Sequence, residues 1–186
     1  MNNEIELQFT LEEVMDFYDL IRGRESIRDY NPNRTIDEVV LNRILNAGRL
    51  APSASNRQPW TFLLVSSKEK LEVVRTCYKK PWFQQAPHIL IIIGDKTKSW
   101  IRSYDGYNSI ETDLAIAMDH IILAAEYENI GTCWIEEYNF KILSDAISLK
   151  ENEVIFSITP LGYQNKGYRK QGNKKRKPLE EIIKII

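Results

Sequence analysis

Histidine and cysteine are scarce, with two of each among 186 residues. His88 and His120 leave little room for a His-based metal site or a Ser-His-Asp triad. Cys77 and Cys133 are too few for a secreted disulfide framework and form no Cys-x-x-Cys pair for zinc or thioredoxin chemistry. Both sit beside apolar or aromatic residues and read as core thiols. No Gly-x-Gly-x-x-Gly occurs, so a Rossmann dinucleotide fingerprint is missing, and a P-loop is missing too. Apolar runs such as Ile89–Ile93 stop at five residues, far short of the ~20 a membrane span needs. The first nineteen residues carry Glu4, Glu6, Glu12, Glu13, Asp16 and Asp19 but no Lys or Arg, which excludes a basic signal or transit leader. A soluble, cytoplasmic protein is expected. Lys and Arg total 25 against 26 acids, a net charge of -1, so bulk electrostatics points to neither nucleic acid nor an anionic membrane.

What is present fits a single globular domain spanning 1–186. The chain is 43% hydrophobic and 27% charged, close to the globular average. The balanced charge conceals an asymmetry: Lys166, Arg169, Lys170, Lys174, Lys175, Arg176 and Lys177 follow one another with no acid between them. Such a run is either a solvated loop or a site for something small and anionic.

Periodicity places the elements. Thr10-Leu11-Glu12-Glu13 has capping-box form, with Leu11, Val14, Met15, Tyr18 and Ile21 on one helical face and Gly23 closing in a left-handed conformation. Thr35-Ile36-Asp37-Glu38 repeats the device ahead of Ile36, Val39, Val40, Ile44 and Ala47, with Pro52 ending that helix. Strands are expected at 60–65, 88–93 (apolar on both faces, hence central), 132–135 and 154–161. Ser66 with Glu69 opens a short helix through Val74. The longest helix is expected over 113–129, ended by Gly131, and a weaker one over 140–149. Strands and helices interspersed without strict alternation indicate an α+β fold. The apolar tail (Leu179, Ile182, Ile183, Ile185, Ile186) needs a surface: the chain's own sheet edge or a partner subunit.

Two segments carry chemistry. In Arg24-Glu25-Ser26-Ile27-Arg28, alternate residues of an extended segment share a face. Arg24 and Arg28 would then flank the Ser26 hydroxyl, a receptor for phosphate or an electron-rich carbonyl. Ala51-Pro52-Ser53-Ala54-Ser55-Asn56-Arg57-Gln58-Pro59-Trp60 is a proline-bounded loop of short donors and acceptors that can surround a polyhydroxylated chain.

In order, R-x-S-x-R, A-P-S-x-x-N-x-Q-P-W and a long Ala-rich helix running into N-I-G-T-C-W-I resemble the nitroreductase-like flavoprotein superfamily, from Ile21 through Pro178-Leu179-Glu180-Glu181. The resemblance implies an α+β sandwich with a mainly antiparallel central sheet flanked by helices. It implies an interlocked homodimer with FMN at each dimer interface, in which 178–186 reaches the partner and extends its sheet. It places Arg24 and Ser26 at the FMN phosphate and ribityl chain and Arg28 beside the flavin pyrimidine. Glu25 lies within that motif. Pro52, Ser53, Ala54, Ser55 and Asn56 would come from the partner subunit. Ile135, Glu136 and Glu137 would border the hydride-accepting ring nitrogen, and Lys174 and Arg176 would be further phosphate cations. The implied reaction is ping-pong: NAD(P)H reduces FMN, then a nitroaromatic, quinone or activated alkene is reduced in the same place. No catalytic side chain and no metal are implied. Trp82, Phe83, Trp100, Tyr104 and Tyr107 are expected either to line the outer pocket or to serve as packing.

The sequence departs from the family pattern twice. Glu137 stands where a small residue is common, and an inward-turned carboxylate there would oppose flavin reduction. Glu25 stands where a second basic residue is common and is expected to weaken phosphate binding. Alternatives remain at this level: a non-catalytic flavin-binding or sensor protein, or a member using reduced flavin for dehalogenation or flavin breakdown. A nucleic-acid contact for the basic run is a third.

Overall fold

The computed structural model describes residues 15–172 and 174–186; the Thr10–Glu13 capping box lies outside them. The helices are α1 (Phe17–Gly23), α2 (Glu38–Arg49), α3 (Lys68–Val74), α4 (Pro81–Gln85), α5 (Ile110–Tyr127) and α6 (Phe140–Ile147). The strands are β1 (Trp60–Val65), β2 (His88–Asp95), β3 (Gly131–Thr132) and β4 (Glu153–Gly162). They form one antiparallel sheet in the order β1-β2-β4-β3. With helices on both faces, the architecture is α+β. Among the described residues no helix is long and apolar enough to cross a membrane.

β2 explains the arrangement. It pairs on both sides, Leu63 opposite Ile91 and Ile91 opposite Ile158. Successive side chains point to opposite faces. Leu90 and Ile92 enter a core with Ile44, Leu114, Met118 and Ile121. Ile89, Ile91 and Ile93 enter a second core with Val74, Phe83, Leu143 and Ile158. A strand buried on both faces reads as a continuous apolar run, and that is why this one stood out in the sequence.

Several ends differ from expectation. α2 is capped by Asp37, not Thr35: Asp37 Oδ1 accepts the Val39 N–H at 2.8 Å. Val39, placed on the buried stripe, is 61% exposed, while Leu41 and Gly48 turn inward. The helix stops at Arg49, before Pro52. α3 is capped by Ser67, because the Ser66 hydroxyl is spent on His88 Nδ1 at 2.8 Å. α5 begins three residues early, its first N–H satisfied by Asn108 Oδ1 at 2.9 Å. Asn129, at φ 57°, turns the chain after α5, so Gly131 is free to open β3. Gly23 does not close α1 left-handed; the chain leaves that helix extended at Arg24. Of the strand expected at 132–135, only Thr132 falls in β3, which starts at Gly131, and Ile135 forms a separate bridge to Ile158. The residues of 178–186 form one short turn, Leu179–Glu181, and Ile185 and Ile186 are fully solvent-facing.

Candidate functional site

The functional region starts where α1 ends. Arg24 leaves the helix in an extended conformation, and the chain then runs beside β3: Ser26 bridges Thr132 in parallel, and the Ile27 N–H donates to the Thr132 carbonyl at 2.7 Å. Ile27 is fully buried with Tyr30 and Ala86, which turns its neighbours outward. Gly131 permits this approach, since a Cβ there would meet Ile27 Cγ2 at 2.9 Å and the Gly162 carbonyl at 3.1 Å.

The other wall comes from the far end of the sequence. After β4 the chain returns along the same segment: Asn31 N–H donates to the Tyr163 carbonyl at 2.8 Å, and Asn165 Nδ2 donates to Asp29 Oδ1 at 2.6 Å. The basic run then crosses the C-terminal end of α1. Lys170 Nζ donates to the Gly23 carbonyl at 3.0 Å and pairs with the buried Glu126 carboxylate. Lys174 Nζ donates to the carbonyls of Ile21, at 3.1 Å, and Arg22. Cations at the negative end of a helix are favourably placed.

Between these walls lies a cavity of about 310 Å³ lined by Arg24, Glu25, Ser26, Arg28, Tyr168, Gln171, Lys174 and Arg176. That volume is at the lower end of ligand-site sizes, about 300–1,000 Å³. Among the described residues, Arg24, Arg28, Lys174 and Arg176 face it against one acid, Glu25. Their crowding has a titration signature: burial, then the neighbouring Arg24 and Arg176, lower the Lys174 ammonium pKa. An anion placed here relieves that repulsion. The donor set suits a phosphate, with guanidinium forks, an ammonium and the Ser26 hydroxyl all converging. Arg28 also lies over the Trp82 ring, 6.0 Å from its centroid.

The structure thus gathers Arg24, Glu25, Ser26, Arg28, Lys174 and Arg176 around one cavity, from opposite ends of the sequence. It does not bring the remaining expected residues there. Pro52–Asn56 forms a turn elsewhere, at Ala54–Asn56, with Ser55, Asn56 and Gln58 at φ of 50°, 53° and 48°. The Gln58 N–H donates to Ser53 Oγ at 3.0 Å and the Ala54 N–H donates to Asp113 Oδ1 at 2.9 Å. Ile135 is buried against Ile158. Glu136 and Glu137 are exposed, Glu136 lining a separate cavity with Glu111 and Phe156. Glu137 shares its surroundings with Arg28 through Tyr78. Burial and then Cys133 raise the Tyr78 phenol, Arg28 lowers it and Glu137 raises it.

Among the aromatics, Phe83 is no pocket residue: it is fully buried in the core, edge-on to Tyr78 and Trp82. Tyr104 is 95% exposed, in a hairpin closed by a bridge between Ile101 and Asn108, and does not line the cationic cavity. Both cysteines are free and buried, and burial pushes the Cys77 thiol up to about 11. Three residues escaped the sequence reading. Tyr168 and Gln171 line the cavity and lie within the basic run. Asp113, 2% exposed, holds the Ala54 turn and accepts from Ser109 Oγ at 2.8 Å. Its signal was an acid on the apolar side of the long helix, beside Leu114 and Ala117.

The fold is an antiparallel α+β sandwich that carries a cationic cavity at its edge. Similarity to known proteins specifies it further. The nitroreductase family model matches residues 21–76 and 68–163. An Archaeoglobus fulgidus protein provisionally assigned as an NADH dehydrogenase/NAD(P)H nitroreductase is 33% identical over 148 residues, 77% of this chain and 83% of its own. The crystal structure of a Clostridium difficile nitroreductase family protein superposes with a TM-score of 0.84 at 29% identity, covering 91% of this chain and 98% of that one. A nitroreductase-like protein of Exiguobacterium sibiricum, solved in complex with FMN, shares the fold at a TM-score of 0.78 and 21% identity, over 92% of this chain and 97% of that one. The chain belongs to the nitroreductase family.

Proposed function

We propose that this chain is an FMN-dependent oxidoreductase that takes hydride from NAD(P)H and delivers it, by a ping-pong mechanism, to a small acceptor such as a nitroaromatic, quinone or activated alkene. The observation that carries the reading is the convergence of Arg24, Ser26, Arg28, Lys174 and Arg176 on one cavity. Arg24, Lys174 and Arg176 would hold the phosphate dianion, their mutual repulsion replaced by attraction. Ser26, half-buried beside β3, offers one hydroxyl to the ribityl chain. Arg28 would face the pyrimidine edge, where a fixed cation favours the anionic, reduced form. When bound, FMN supplies the redox chemistry, accepting hydride and giving it up, while the protein positions and tunes it.

The remaining family positions fit a homodimer. Pro52–Asn56 would reach the cofactor of the partner, and Ile135–Glu137 would border the ring. The exposed apolar residues of 178–186 would be covered by the second copy. Glu137 is exposed, consistent with only its backbone facing the flavin. The test is reconstitution with FMN and anaerobic addition of NAD(P)H. Bound yellow flavin that bleaches, and recovers its colour with acceptor, is the expected result. Flavin bound but not reduced would make this a binding module. Protein that takes up no FMN would refute the reading.

A further inference from the structure

We propose that Glu25 is a positioning residue for the cationic cavity: it clasps the Gln171–Gly172 turn and thereby holds Lys174 and Arg176 opposite Arg24. The inference rests on the anion-binding reading above and deepens it. Charge counting alone gives the opposite expectation, because an acid among four cations should weaken the hold on an anion. The geometry assigns Glu25 a different task. Its Oε2 accepts the Gln171 N–H at 2.9 Å and its Oε1 accepts the Gly172 N–H at 2.6 Å, so both oxygens are engaged by the backbone of the basic run.

Gly172 makes this possible. At φ +67° it adopts a conformation that side-chain-bearing residues avoid, and successive N–H groups in such a turn form an anion-receiving nest. The nest here is filled by the protein's own carboxylate. Lys174 and Arg176 follow within a few residues and line the same cavity. Among the described residues, this stretch is otherwise held through the long side chains of Lys170, on the Gly23 carbonyl and Glu126, and Lys174, on the end of α1, which fix backbone position poorly. Arg176 itself bonds, among the described residues, only to the adjacent Lys175 carbonyl, at 2.8 Å. Its placement therefore depends on how well the preceding turn is held. Desolvation raises the Glu25 carboxyl pKa, but the Gly172 and Gln171 N–H groups with Lys170 and Lys174 outweigh it and keep it below its ordinary value. Glu25 is therefore ionised at neutral pH and accepts both N–H groups as a carboxylate.

The two views predict opposite signs, which makes the test decisive. Wild type, Glu25→Ala and Glu25→Gln are compared by amide hydrogen exchange over residues 166–177 without ligand, and by fluorescence titration with FMN. Thermal melts check that the core is intact. Glu25→Ala is expected to speed exchange in that stretch and to weaken FMN binding about tenfold or more, the scale set by losing charge-assisted hydrogen bonds. Glu25→Gln, which keeps one accepting oxygen, is expected to fall between the two. FMN binding by Glu25→Ala as tight as wild type or tighter would overturn the proposal, and so would unchanged exchange. Wild type that binds no FMN would refute the flavin reading, and the exchange measurement would then decide the clasp alone.

Discussion

Removing the Asp113 side chain should loosen the Pro52–Asn56 turn while leaving the sheet intact. In the native protein one carboxyl oxygen accepts the Ala54 N–H at 2.9 Å and the other accepts Ser109 Oγ at 2.8 Å, with Asp113 only 2% and Ser109 only 3% exposed. Asp113→Ala orphans both donors. A buried donor left unsatisfied costs about 1–3 kcal/mol; the Ser109 hydroxyl can rotate, and the half-buried Ala54 N–H can reach water, so each recovers part of its share. A loss of about 2–3 kcal/mol is expected, a drop of roughly 5–10 °C in melting temperature for a chain of this size. Asp113→Asn keeps an oxygen for Ala54 and presents its amide to Ser109, which then accepts; it should cost less than about 1 kcal/mol. The 52–58 segment also stores strain, with three non-glycine residues at positive φ, each costing about 1–3 kcal/mol while held there by its surroundings. Proteolysis at 52–58 should therefore rise in Asp113→Ala and stay near wild type in Asp113→Asn. Thermal melting and limited proteolysis of the three proteins decide the matter. Equal behaviour of the Ala and Asn variants would refute the hydrogen-bond account, and an unaffected Asp113→Ala would refute the anchoring altogether.

Two further outcomes follow from the packing and the ion pairs. Phe83→Ala should destabilise by about 3–5 kcal/mol, since Phe83 is fully buried in the second core, and urea denaturation would register it; a surface-like loss below about 1 kcal/mol would contradict the burial. Arg43 grips Glu128 through two bonds of 2.6 and 2.7 Å, and this hydrogen bonding lowers the Glu128 carboxyl pKa despite partial burial. A depressed acid stabilises the fold above its ordinary carboxylate value, and the contribution fades as pH falls through the depressed one. Glu128→Gln should thus narrow its stability gap to wild type as the solution is acidified through that range, and a gap independent of pH would argue against the pairing.

Legibility in the sequence followed how local each cause was. β1 was read to the residue and β2 nearly so, because period and apolar content are properties of the segment itself. Caps were read less well, since a side chain that could cap a helix was often claimed by a distant partner. Ser66 fits the N-cap pattern, yet its hydroxyl goes to His88, twenty-two residues away. Thr35 fits it too, but Asp37 sits nearer the turn. Glycine was overread as a helix stop: Gly131 is needed for close approach to Ile27, while Asn129 makes the turn. Phe83 lies among aromatics that read equally as pocket lining or as packing, and its burial in the second core decides for packing. For the site, residue types identified both cationic segments. The role of Glu25 was hidden, because it depends on backbone N–H groups that no residue type advertises.

The clasp between Glu25 and Gly172 joins positions 147 apart in sequence. Closing so long a loop costs entropy that grows only slowly with length, about 0.6 kcal/mol per doubling, but the contact must wait for the intervening sheet to be assembled. A ligand in this cavity therefore reads out whether the two distant segments have met, and binding to it acts as a thermodynamic latch on the finished chain. At a hundredfold excess over its dissociation constant such a ligand adds about 2.7 kcal/mol to the folded state. Protein short of its ligand would lose the 166–177 stretch to fraying first, well before either core opens.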